Sequence, residues 1–172
     1  MMWTFRDAVE NDYEGICSLI KTEDELFMVY PNGQYPLTVD QVRKLSQTRE
    51  ALTVAVDEGG NVIGFANLYD HEPGRTAFIG NVVVDPGHRG RGMGKAIVSH
   101  MLEKVFGRYD LPEVRISVFS ENTPALLLYS GFGFVPYGIE ERRDPKGERV
   151  ALIHMRLERT GSMKFEESTT DR

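Results

Sequence analysis

Apolar and polar positions change period several times along this chain, and each change marks an element. A short apolar stretch, Met2 to Phe5, precedes Asn11-Asp12, either of which can cap a helix carrying Ile16, Cys17, Leu19 and Ile20 on one face. Between Lys21 and Glu50 the pattern blurs. Leu26 to Tyr30 is apolar, Pro31-Asn32-Gly33 is a turn, and Thr38 predicts the cap of a second helix running through Leu45. Leu52 to Val56 and Val62 to Leu68 are β-rich and flank the turn Glu58-Gly59-Gly60-Asn61, which predicts a hairpin.

Thr76 to Val84 predicts the next strand, and Val82-Val83-Val84 is apolar on both faces, as a central strand would be. After a run of glycines, Met93, Ile97, Met101, Leu102 and Val105 recur at helical spacing up to Gly107, where the helix is expected to stop. Val114, Ile116 and Val118 then alternate with Arg115, Ser117 and Phe119, and a strand reached by a crossover helix runs parallel to its predecessor. Thr123-Pro124 starts a short helix that Gly131 and Gly133 break, and Phe134 to Ile139 and Val150 to Leu157 form a closing pair of strands. The class is α/β with a mixed sheet. Residues 1–158 read as one domain, and the polar, patternless residues 159–172 as a flexible tail.

Composition narrows the function. A chain of 172 residues with 41% apolar content supports one ordinary core. Its net charge of −6 argues against a nucleic-acid partner, which calls for a basic surface. No charged start followed by an apolar run is present, so a cytoplasmic protein without a membrane partner is expected. The one cysteine, Cys17, falls in an apolar helical pattern and reads as packing rather than as a nucleophile. No His, Cys or carboxylate set stands at metal-ligand spacing, so no metal is expected.

Candidate chemistry concentrates between Val82 and Lys95, where a strand passes through Arg89-Gly90-Arg91-Gly92-Met93-Gly94 into a helix. A helix N-terminus leaves its first amides unpartnered and partly positive, and glycines let an anionic diphosphate come close to them. The spacing fits neither G-x-G-x-x-G, because Lys95 or Ile97 stands where the last glycine belongs, nor a P-loop, because Arg89 and Ala96 occupy required positions. What remains is R-x-x-G-x-G, namely Arg89, Gly92 and Gly94. Downstream, Asn122-x-x-Ala125-x-x-Leu128-Tyr129 precedes Gly133-Phe134.

These two motifs, in this order, resemble those of the GCN5-related N-acetyltransferase (GNAT) family over roughly Val62 to Leu157. The resemblance implies a mostly antiparallel twisted sheet with one splayed parallel strand pair and helices on both faces. It implies acetyl-CoA as cosubstrate, with the pantetheine arm along Val82, Val83 and Val84 and near Asn122, and the diphosphate at Arg89 to Lys95. Taken alone, Asn122 could equally be a helix or turn cap, and Arg89, Arg91 and Lys95 ordinary cations at a helix start. His88 reads equally as a turn residue or a phosphate ligand. Tyr129 matches the position of a general acid that protonates the departing thiolate. Some relatives carry a glutamate as general base on the strand before the glycines. Thr76 to Asn81 has no carboxylate, so Asn81 is a candidate to orient water or the acceptor, with Asp70, His71 and Glu72 as further candidate bases. The expected acceptor is a primary amine of a small molecule or a protein N-terminus. An acyl-CoA-binding module without turnover is the alternative, supported by the missing carboxylate, and a homodimer through an edge strand has no dedicated signal.

Overall fold

A computed structural model describes residues 2–160, so the tail expected over residues 159–172 lies almost wholly outside the described residues. In chain order the strands are β1 (Trp3–Asp7), β2 (Glu50–Asp57), β3 (Val62–Glu72), β4 (Thr76–Val84), β5 (Glu113–Phe119), β6 (Val135–Arg143) and β7 (Arg149–Glu158). The α-helices are α1 (Tyr13–Ser18), α2 (Glu23–Val29), α3 (Val39–Thr48), α4 (Met93–Glu103) and α5 (Thr123–Phe132). Among the described residues one sheet holds every strand in the order β1-β2-β3-β4-β5-β7-β6, and only β4 and β5 run parallel. The predicted hairpin is β2-β3, and α4 is the predicted crossover helix.

Helices cover both faces, as expected. Val54, Val56, Phe65 and Val83 point into a core shared with Ile16, Leu19, Leu26 and Val42 of the N-terminal helical region. On the other side Ile97, Val98, Met101 and Leu102 of α4 pack with Leu68, Ala77, Ile79, Val114 and Ile116, and with Tyr129 of α5. A sheet buried on both faces explains why β3 reads as one apolar run rather than an alternation.

The N-terminal third departs from the sequence reading in three places. Neither Asn11 nor Asp12 caps α1 through its side chain. A 3₁₀ turn over Glu10–Asp12 leads into the helix, and the Asp12 carboxylate instead accepts from both terminal nitrogens of Arg6, at 2.7 and 2.8 Å, and from the Val9 amide. The apolar stretch Leu26 to Tyr30 belongs mostly to α2, capped by Thr22, whose hydroxyl accepts from the Glu25 amide. Thr38 caps α3 as predicted, but the helix runs on to Thr48. Near the other end, α5 continues through Gly131 and stops at the left-handed Gly133.

Thr76 opens β4 with only 3% of its surface exposed, and its hydroxyl finds no partner among the described residues. An orphaned buried hydroxyl costs roughly 1–3 kcal/mol. Thr76→Val should therefore raise the urea midpoint, by a stability gain of about 1 kcal/mol. A loss of that size would show that the hydroxyl is satisfied.

Candidate functional site

The site begins where two strands stop pairing. β4 and β5 are in register from Thr76 opposite Glu113 to Ile79 opposite Ile116 and no further, although both strands continue. On its other side β4 stays paired to β3 through a bulge: Phe65 faces Val83 and Asn67 faces Gly80, so three steps on β4 meet two on β3. An extra residue bends the bulged strand and strengthens its twist, which carries Val82 to Val84 away from β5.

Asn81 sits in that bulge with φ of 49°, in the left-handed region that asparagine tolerates better than most residues. Its Oδ1 accepts from Asn67 Nδ2 at 2.7 Å, and its Nδ2 donates to the Val29 carbonyl at 2.7 Å. Val29 ends α2, where helix carbonyls lack intrahelical partners, so one side chain ties the bulge to the helix over the gap. One lone pair and one N–H of the amide are left over from these two bonds.

Two cavities meet in the gap. One, of about 580 Å³, runs along Val82, Val83 and Val84 past Gly90 and Gly94 to Ala125 and Leu128. The other, of about 270 Å³, lies on the far side among Tyr30, Arg49, Tyr69, Asp70, Ser117 and His154. Met28, Val29, Val82, Asn122 and Tyr129 line both.

The glycine turn borders the larger cavity. Asp85 caps a 3₁₀ turn over Pro86–His88, its Oδ2 accepting from the Gly87 amide and lying 3.0 Å from His88 Nδ1. His88 is thereby a turn residue. Gly90 and Gly92 have φ of 76° and 83°, and a Cβ on either would enter open space, so the backbone here lies bare to an approaching group. Gly92 is the N-cap of α4. Arg89 is anchored by a hydrogen bond from its Nε to the Val84 carbonyl at 3.3 Å and by Glu25 at 3.7 Å. Met93 is buried against Ala55 and Ile63, leaving only its backbone available, and Arg91 and Lys95 are exposed. Val83 points into the core, while Val82 and Val84 are half-buried. Asn122 caps α5, its Oδ1 accepting from the Ala125 amide at 3.4 Å, and borders both cavities from that position.

Tyr129 stands at the junction with 5% of its surface exposed. Burial pushes its phenol well above the ordinary tyrosine value, with Tyr69 adding to the shift, so it carries its proton at neutral pH. Of the three candidate bases, Asp70 borders the smaller cavity, whereas His71 pairs with Glu50 at 2.9 Å and Glu72 with Arg75 at 3.1 Å, and neither lines it. The structure adds a polar chain that the sequence did not disclose. Ser117 Oγ lies 2.7 Å from His154 Nδ1, His154 Nε2 lies 3.1 Å from Glu140 Oε2, and Arg142 Nε donates to Glu140 Oε1 at 2.8 Å. A serine and a histidine 37 residues apart carry no spacing signal; only the β5–β7 register sets them opposite each other. Among the described residues no group of three or more His, Cys, Asp or Glu could hold a metal ion, and no helix is long and apolar enough to cross a membrane.

A bare glycine turn entering a helix beside a splayed parallel pair is the geometry that the family resemblance implied, and the acetyltransferase (GNAT) family model matches residues 14–134. The chain belongs to this family. Among its GNAT relatives, the mycothiol acetyltransferase of Thermobifida fusca is 32% identical over 145 residues, covering 76% of this chain and 42% of that protein. The chain spans less than half the length of the mycothiol acetyltransferases it matches. A candidate phosphinothricin N-acetyltransferase superposes with a TM-score of 0.76 at 25% identity, covering 91% of this chain and 98% of that one. The spermidine N-acetyltransferase of Vibrio cholerae, solved with CoA and spermine, has a TM-score of 0.77 at 21% identity, over 91% and 95% of the two chains.

A pH prediction follows from Tyr129. Its pKa is raised on folding, so the folded GNAT domain holds the proton more tightly than the unfolded chain, and stability is lost as pH rises past the unfolded value of about 10. Urea unfolding between pH 9 and 10.5 should show stability falling more steeply for the wild type than for Tyr129→Phe. Parallel slopes would mean that the phenol is not desolvated.

Proposed function

We propose that this GNAT domain transfers acetyl from acetyl-CoA directly to a primary amine of a small molecule or a peptide N-terminus. The observation that carries the reading is the meeting of two cavities at Tyr129, one bordered by the glycine turn and the other by polar side chains. Two substrates held on either side of one proton donor can react without a covalent enzyme intermediate, and fixing both in contact is itself a large part of catalysis.

The residues present fit acetyl-CoA. Beyond Ile79 the β4 edge has no strand partner on the β5 side, which leaves Val82 to Val84 to pair with a pantetheine arm. The bare backbone at Gly90 and Gly92 and the start of α4 suit a diphosphate, with Arg89, Arg91 and Lys95 adding positive charge and Asn122 bordering the arm. Acetyl-CoA supplies the acetyl group as a thioester. Tyr129 would give its proton to the sulfur as the C–S bond breaks and the C–N bond forms, and the proton that the nitrogen sheds on becoming an amide would refill the phenolate. Burial that raises the phenol also raises the proton affinity of a thiolate beside it, so donor and acceptor stay matched in the gap. An alkyl amine is mostly protonated at neutral pH and must lose a proton before it attacks. Asp70 borders the acceptor cavity, and the Ser117–His154–Glu140 chain offers that proton a path outward. The reading keeps the cytoplasmic setting expected from the sequence, and the unpaired Cys17 thiol is consistent with it.

Calorimetry with CoA tests the binding half: the wild type should bind, and Gly92→Asp, which puts a carboxylate at the bare N-cap, should weaken binding at least tenfold. Unchanged affinity would remove the diphosphate from this turn. For the chemical half, Tyr129→Phe should lower kcat about 10²–10⁴-fold in a free-thiol assay across an amine panel, with little change in acetyl-CoA affinity. Near wild-type turnover would return Tyr129 to a packing role.

A further inference from the structure

Arg49 enters the smaller cavity as a cation with no ion pair, and the Asp70 carboxylate supports its charge only from longer range. It follows the last turn of α3, its guanidinium lies 4.3 Å from the centre of the Tyr69 ring, and its Nη1 donates to Asn67 Oδ1 at 3.0 Å. Among the described residues no carboxylate comes within ion-pair distance of it. A guanidinium carries five N–H donors in a fixed fork and does not deprotonate in proteins, so most of its capacity is unspent. Burial works against its charge and pushes its pKa below the ordinary arginine value. A desolvated charge with no ion-pair partner is expensive in a folded protein and marks a place where a ligand completes the site.

The surroundings are arranged around this group. A Cβ at position 80 would strike both the Arg49 guanidinium and the Tyr69 ring, so Gly80 is what allows the pair to lie flat on β4. The other basic side chains lining the cavity already have a partner, because Arg142 and His154 both lie against Glu140. Asp70 is the single carboxylate among the lining residues, and it is exposed. A polyamine would bring several positive charges against Arg49 with one exposed acid to receive them.

We infer that the acceptor is a small zwitterion, an amine that also bears a carboxylate, with the carboxylate held by the Arg49 fork. This rests on reading the smaller cavity as the acceptor site. A carboxylate takes two parallel N–H bonds from guanidinium, which fixes orientation as well as position, and Arg49 and Tyr129 line the same cavity, so the anchored molecule is held within the space where transfer occurs.

The test is saturation-transfer NMR on the protein saturated with CoA, with the twenty amino acids as probes, their α-carboxamides as uncharged counterparts, and spermidine. At least one amino acid should bind, and its carboxamide about 10²-fold more weakly, since the pair differs in the one charge that Arg49 pairs with. Arg49→Gln should abolish that preference, and Arg49→Lys should restore part of it, with CoA affinity by calorimetry unchanged in both. The inference is overturned if no amino acid binds, if a carboxamide or spermidine binds as well as the acids, or if Arg49→Gln keeps the preference. Failure of CoA itself to bind would count against the acetyl-CoA reading, while the acid-against-amide comparison, repeated without CoA, still decides the role of Arg49.

Discussion

The whole site depends on a few missing backbone hydrogen bonds. β4 and β5 pair over four residues and then part, although each is still a strand on its other edge. Parallel strands buried on both faces normally continue their ladder, because unpaired backbone groups are costly away from water. Here the break is built in. The bulge at Asn81 turns β4 aside, the Asn67–Asn81–Val29 hydrogen bonds hold that turn, and α2 lies over the opening it makes. What would be a defect in a closed sheet is a slot whose two mouths are the two cavities.

The rigidity around that slot comes from packing. Core on both sides of the sheet fixes β4 between the N-terminal helices and α4, so the opening cannot close by sliding the strands together. The same packing desolvates Tyr129 and Arg49 and raises the electrostatic stakes of each. Tyr129 answers burial by keeping its proton. Arg49 cannot shed its charge, and so is left to find an anion.

Elements with strong period were legible in the sequence: the β2-β3 hairpin, the β4-α4-β5 crossover, and the two motifs, one inside that crossover and one just after it. The splay itself came only through family resemblance, since Val82 to Val84 looks like any central strand and nothing local says that pairing ends at Ile79. α2 and the route into α1 were not legible, because short helices fixed by tertiary contacts show little period and Asp12 spends its carboxylate on Arg6 rather than on a cap. The smaller cavity was the least visible. Arg49, Ser117 and His154 come from three separate elements, and only sheet register and the end of α3 bring them to one cavity.

The central claim is that the unpaired edge of β4 receives the pantetheine arm, and amide hydrogen exchange followed by NMR tests it without a known acceptor. Adding CoA should slow exchange at amides between Val82 and Val84 that face the gap and leave the already paired segment from Thr76 to Ile79 little changed. If CoA binds with no added protection between Val82 and Val84, the slot is not where the cosubstrate lies and the account built on it is wrong.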